Sequence, residues 1–162
     1  MMKRMMAAVL ALMMVFALVA CGSANGGQES EAPDLQAYYD DFMASLGDNA
    51  PMMMAIEGDM LEAAYPGLSD YTLKQSVMQM AGISAVAFEM ALVETETEED
   101  AQAVEKIFEA RVDSQIQGGA MYPATIEAWE NASVLMDGNV VALIVAGEDQ
   151  TAAVDAFNAL FA

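Results

Sequence analysis

The chain has 162 residues, 56% of them hydrophobic, with 25 acidic side chains against five basic ones, no histidine and a formal charge of −20. A field of that sign repels nucleic-acid phosphates and anionic headgroups, both of which are held by clustered Lys and Arg, so nucleic acid is excluded as a partner. The apolar content is too high for a disordered chain, and the length suits one domain with a real core.

The chain opens with Lys3 and Arg4, followed by an uncharged run over residues 5–20. A basic start and a short apolar segment form the layout of a secretory signal. The run is shorter than the roughly 20 apolar residues that cross a bilayer, which suits a segment that is cut away. Leu18-Val19-Ala20-Cys21 resembles the lipobox of bacterial lipoproteins, in which a peptidase cuts before a cysteine that has received a diacylglycerol. The resemblance implies a signal peptide over residues 1–20, lipid attachment at Cys21, and a mature protein on the outer face of a cell membrane. An ordinary signal-peptide residue, or an uncleaved anchor helix, is the alternative. Cys21 is the only cysteine, so it has no partner for an intramolecular disulfide, and lipidation explains an unpaired thiol in an exported chain. Two acyl chains meet the need for more than one anchoring signal. Cleavage removes two bases and no acid, leaving Lys74, Lys106 and Arg111 and a formal charge of −22.

Residues 21–33 are small and polar and read as a flexible tether. Asp34 then caps a helix predicted to about residue 46, with Leu35, Tyr38, Tyr39, Phe42, Met43 and Leu46 at spacings of three and four and Gly47 as its stop. Residues 51–56 (PMMMAI) are apolar without a clear period, and residues 58–65 predict a short helix before Pro66-Gly67. Residues 73–80 alternate as a strand does, and Ala81-Gly82 turns the chain. Over residues 84–93, Val86, Phe88, Met90 and Leu92 share one strand face, and Ala87, Glu89, Ala91 and Val93 share a second, partly covered one.

Thr95-Glu96-Thr97-Glu98 has the pattern of a capping box before a long helix to about residue 117, with Ala101, Val104, Ile107, Phe108, Val112 and Ile116 as its apolar stripe. The acids between Glu94 and Asp100 gather where the helix dipole is positive, and this outweighs a calcium site, since the EF-hand spacing is absent. Gly118-Gly119 breaks the helix, and Tyr122-Pro123 opens a shorter one over residues 124–131. Residues 133–136 and 140–146 form a hairpin about Asp137-Gly138-Asn139. Its second arm, VVALIVA, is apolar throughout, as in a central strand buried on both faces. A last helix starts near residue 150. The expected fold is α+β over residues 34–162, a small antiparallel sheet of about four strands in two hairpins, packed against amphipathic helices in the order α-α-β-β-α-α-β-β-α.

Little chemistry is written in the sequence. Without histidine there is no Ser-His-Asp arrangement and no usual zinc site. Gly82-Ile83-Ser84-Ala85-Val86 lacks the last glycine of a nucleophile elbow, and no phosphate-cradling glycine loop occurs. Glu89 is the acid to examine first, because it lies mid-strand among apolar residues, although an exposed strand-face carboxylate is the commoner outcome. The methionines are soft enough to bind copper but stand mostly singly in apolar patterns, where they fill a core, and Tyr38 and Tyr39 lie on a packing stripe. No catalytic residue, metal or cofactor is implied.

The order of elements, with Ala87-Phe88-Glu89-Met90, a long helix ending near Arg111, Tyr122-Pro123 and Asp137-Gly138-Asn139-Val140-Val141, resembles the domain of unknown function 4358 family of Gram-positive lipoproteins over about residues 34–162. That family has no established activity or site residues to carry over, and this chain is more acidic and poorer in lysine than the pattern. The expected function is a non-enzymatic cell-envelope lipoprotein, held to the membrane through Cys21, that binds an envelope protein or small ligand. The alternatives are a carboxylate-based hydrolase of envelope glycans and a cation-binding protein.

Overall fold

The computed structural model describes residues 32–162. Cys21, the expected signal peptide and most of the expected tether lie outside the described residues. The elements in chain order are α1 (Leu35–Leu46), β1 (Met53–Ala55), α2 (Asp59–Ala64), β2 (Leu73–Ala81), β3 (Glu89–Thr95), α3 (Glu98–Ser114), α4 (Pro123–Glu130), β4 (Ser133–Asp137), β5 (Val140–Val145) and α5 (Gln150–Asn158). Mixed helix and sheet with two antiparallel hairpins is therefore correct, but the sheet has five strands, and the order is α-β-α-β-β-α-α-β-β-α. The strand missed by periodicity is β1. Its three residues are too few to show a period, and its place comes from pairing Met53 with Ala81 and Ala55 with Gln79.

The strands lie in the order β1-β2-β3-β5-β4, each antiparallel to its neighbours. After β3 the chain passes through α3 and α4 to the far edge at β4, and the hairpin returns β5 into the gap. This puts β5 between β3 and β4, and all six of its residues are buried, as an unbroken apolar strand predicts.

Register keeps the two faces apart, because period-two side chains pair across strands with their like. Met90 faces Ile144, and Leu92 faces Val77 and Ala142. These join Leu35, Tyr38 and Phe42 of α1 with Ala153 and Phe157 of α5 in one core. Ala91 faces Met78 and Leu143, and with Val93, Val141 and Val145 packs on Ala101, Val104 and Phe108 of α3, Trp129 of α4, and Tyr65. The face expected to be only partly covered is thus a second core, and all seven residues of β3 are buried. That strand begins at Glu89 rather than at residue 84, because residues 82–88 form a loop that returns only at Ala81 N to Phe88 O.

Helix ends follow local chemistry, with one shift from expectation. The Asp34 side chain accepts from Ala37 N, and Gly47 stops α1 with a φ of 55°. At α3 the cap is Thr97 rather than Thr95. Thr97 Oγ1 accepts from Asp100 N at 3.1 Å, whereas Thr95 is the last residue of β3, fully buried, with its hydroxyl donated to backbone oxygens of Thr97 and Asn139. The α3 helix runs to Ser114 and unwinds through a wide turn at Gln115–Gly119, where Gly118 takes a φ of 152°. At α4 the Thr125 hydroxyl accepts from Tyr122 N and donates to Tyr122 O, so Pro123 begins the helix. Among the described residues no helix is long and apolar enough to cross a membrane.

Candidate functional site

The residue singled out from sequence as the acid to examine, Glu89, is 1% exposed, which corrects the expectation of a solvated strand-face carboxylate. Its place on the second face of β3, one alternation from Ala91, aims it under the end of α3. The apolar stripe of that helix, Ala101, Val104 and Phe108, continues three residues on to Arg111. Arg111 grips Glu89 by two parallel bonds, Nε to Oε1 at 2.9 Å and Nη2 to Oε2 at 2.8 Å. Tyr65, fully buried where α2 ends, donates its hydroxyl to Oε1 of the same carboxylate. The guanidinium carbon sits 5.3 Å from the Trp129 ring centroid and 5.7 Å from that of Tyr65, a weakly hydrated cation against two aromatic rings. The Tyr65 ring in turn meets Phe108 edge-on at 5.3 Å.

Burial and the negative charge of Glu89 together hold the Tyr65 hydroxyl well above its ordinary pKa, so it stays a proton donor. Burial alone would make Arg111 less basic. Its bonds to Glu89 and the charge of that carboxylate outweigh this, and the guanidinium is more basic than usual.

The fork spends Nε and Nη2. No described residue accepts a hydrogen bond from Nη1, although the Arg111 side chain is 10% exposed. Among the described residues no sealed polar side-chain atom lacks a partner, so Nη1 is reached by solvent. Arg111 separates two openings. One is a cleft of about 110 Å³ lined by Met80, Ile83, Val86, Glu89, Arg111 and Trp129, among others. The other is a groove of about 320 Å³ between α2 and α3, where Lys106, Ile107 and Pro66 also contribute.

The first cleft lies between two segments, residues 82–88 and 115–122, and neither carries a charge in a chain with 25 acids. Ile83 on the first segment is 58% exposed and Val86 is also exposed, while Ile116, Met121 at 72% and Tyr122 are exposed on the second. Of these, Ile83 and Val86 line the cleft itself, while the second segment lines it through Gln115, Gly119 and Ala120.

The other residues considered from sequence fall elsewhere. Tyr38 is buried and donates to Ala153 O at 2.8 Å, and Met78 and Met90 lie in the two cores. The acid run before α3 divides. Glu94 accepts from Gln75 and Asn139 and pairs with Lys74 at 3.5 Å, while Asp100 accepts from Thr97 at the helix start. Glu89 and Glu94, an odd number of residues apart on β3, point to opposite faces of the sheet, so the two buried acids do not face one another across a cleft. Among the described residues no group of three or more His, Cys, Asp or Glu converges on a metal position.

Sequence reasoning named Glu89 but not Arg111, Tyr65 or Trp129 as its companions. A signal for the first was present. Arg111 is one of five bases in the chain, and it sits on the apolar stripe where a solvated base is not expected.

No curated protein and no solved structure matches the chain. The model of one family, described as a domain of unknown function (DUF4358), matches residues 45–146, which takes in every strand and both sides of the cleft. The chain belongs to that family, whose activity is unknown.

Proposed function

We propose that the protein is an exported lipoprotein, cut before Cys21 and held by lipid to the outer face of a cell membrane, and that its domain is a non-enzymatic binding module whose site is the cleft at Glu89 and Arg111. The address is supported by Lys3, Arg4, the uncharged run that follows and Leu18-Val19-Ala20-Cys21. The observation that carries the binding role is Arg111. It is nine-tenths buried, fixed by Glu89 and two rings, yet keeps one nitrogen unspent, and it lines an opening where Ile83 and Val86 are exposed. Burying an ion pair costs desolvation that a purely structural contact between apolar residues avoids.

A photo-crosslinking residue in place of Tyr122, introduced into the full chain in its native cells, tests the role. An adduct lost on Arg111→Lys supports it, and the absence of any adduct at Tyr122 and at Ile83 removes it. Fractionation of a Cys21→Ala variant tests the address, and unchanged retention in the membrane removes the lipid anchor.

A further inference from the structure

We infer that the cleft at Glu89 and Arg111 takes a stretch of another polypeptide, uncharged or basic, that seats one apolar side chain against Trp129 and offers a backbone carbonyl to Nη1 of Arg111. The inference rests on the cleft being the binding site and adds what it binds.

Size comes first. Sites that engulf a small molecule usually run to roughly 300–1,000 Å³. At about 110 Å³ the cleft holds one anchoring group, not a whole ligand. The rest of the contact must lie outside it, on the exposed Ile83 and Val86 that line it and on the exposed Ile116, Met121 and Tyr122 of the segment whose Gln115, Gly119 and Ala120 line it. An anchor pocket within a surrounding ring that excludes water is the arrangement of a protein contact.

Charge narrows the partner. Glu89 neutralises Arg111, so the floor of the cleft offers donors without net positive charge. Beyond the uncharged rim the chain is strongly acidic, which disfavours an anionic partner and favours a neutral or basic one. The same field argues against a second copy of this chain, which brings 25 acids and five bases of its own. The unspent Nη1 N–H groups require an oxygen acceptor beside the apolar anchor. A polypeptide supplies this next to every side chain, since each residue carries a carbonyl.

Trp129 is the only tryptophan in the chain and touches Arg111, so its fluorescence reports on the cleft. The full chain in nanodiscs of zwitterionic lipid is titrated with three capped peptides, each holding one leucine flanked by Gly, Lys or Asp. Saturable changes with the Gly- and Lys-flanked peptides, binding weakened about tenfold or more by Asp flanks, and a similar loss on Arg111→Lys or Ile83→Asp are expected. No saturable change with any peptide, or equal binding of all three, overturns the inference, as does a Trp129 signal that moves with protein concentration alone, which would mark a second copy. A lipid or glycan adduct at Tyr122 without peptide binding also overturns it while leaving the binding site intact, whereas no adduct of any kind removes both.

Discussion

Arg111 holds Glu89 with two parallel hydrogen bonds, 2.9 and 2.8 Å long, between the end of α3 and the start of β3, and the two side chains are only 10% and 2% exposed. Removing one partner from such a pair leaves a buried, uncompensated charge, which costs about 3–5 kcal/mol. Arg111→Ala is therefore expected to lower the urea unfolding free energy by about that amount. Arg111→Lys should fall between it and the parent, because an ammonium keeps the charge but not the planar fork. A loss on Arg111→Ala of only about 1 kcal/mol or less, the range of an exposed pair, would mean that the pair is solvated.

Alkaline pH should unfold the domain through its buried tyrosines. Burial raises the pKa of Tyr38 and, with the charge of Glu89, that of Tyr65 above the ordinary value of 10.0. The folded state keeps both protons where the unfolded chain releases them. This contribution is thus complete below pH 10 and is lost as pH rises from about 10 toward the higher folded-state values. Denaturant midpoints measured upward from pH 9 should fall, and less steeply in the Tyr38→Phe, Tyr65→Phe double variant. A slope unchanged by the double substitution would assign the loss to other groups.

The turn between β4 and β5 has two central residues. Gly138 takes a φ of 54°, and among the described residues no side-chain-bearing residue has a positive φ, so Asn139 lies on the negative side. Positive φ at the first central position alone is the type II′ geometry, in which glycine avoids a steric penalty of roughly 1–2 kcal/mol. Gly138→Ala is expected to cost about that much, read from the thermal unfolding midpoint. No cost would mean that the turn differs from this one.

Thr97→Ala should remove the cap of α3 and cost about 1 kcal/mol in chemical unfolding. Asp100→Asn, which keeps the backbone amide donating to Thr97 Oγ1, should cost less. If instead Thr97→Ala is silent, Thr97 is not the cap.

Much of the fold was legible because its signals are local. The Asp34 cap and Gly47 stop of α1, the alternation in β2, and the unbroken apolar run of β5 each answer to a neighbour within a few residues. What was missed depends on distant residues. The three residues of β1 are a strand only because β2 offers an edge, and Thr95 lost the cap to Thr97 because its hydroxyl is taken by Asn139, 44 residues away. The site divides in the same way. Glu89 drew notice from its apolar neighbours, but Arg111 and Tyr65 reach it from 22 and 24 residues off, and no spacing rule joins them.

A Glu89 and Arg111 pair that serves binding rather than folding, as proposed, can be removed without loss of the fold. A triple variant, Glu89→Leu, Arg111→Met and Tyr65→Phe, replaces the buried polar cluster with apolar groups of similar size, an exchange that is neutral or stabilises by about 1–4 kcal/mol in other buried pairs. Crosslinking from position 122 and the unfolding midpoint are measured on the same full-length protein. A midpoint at or above that of the parent, together with loss of the crosslink, is the predicted result; a stably folded triple variant that still gives the parent's crosslink would contradict it.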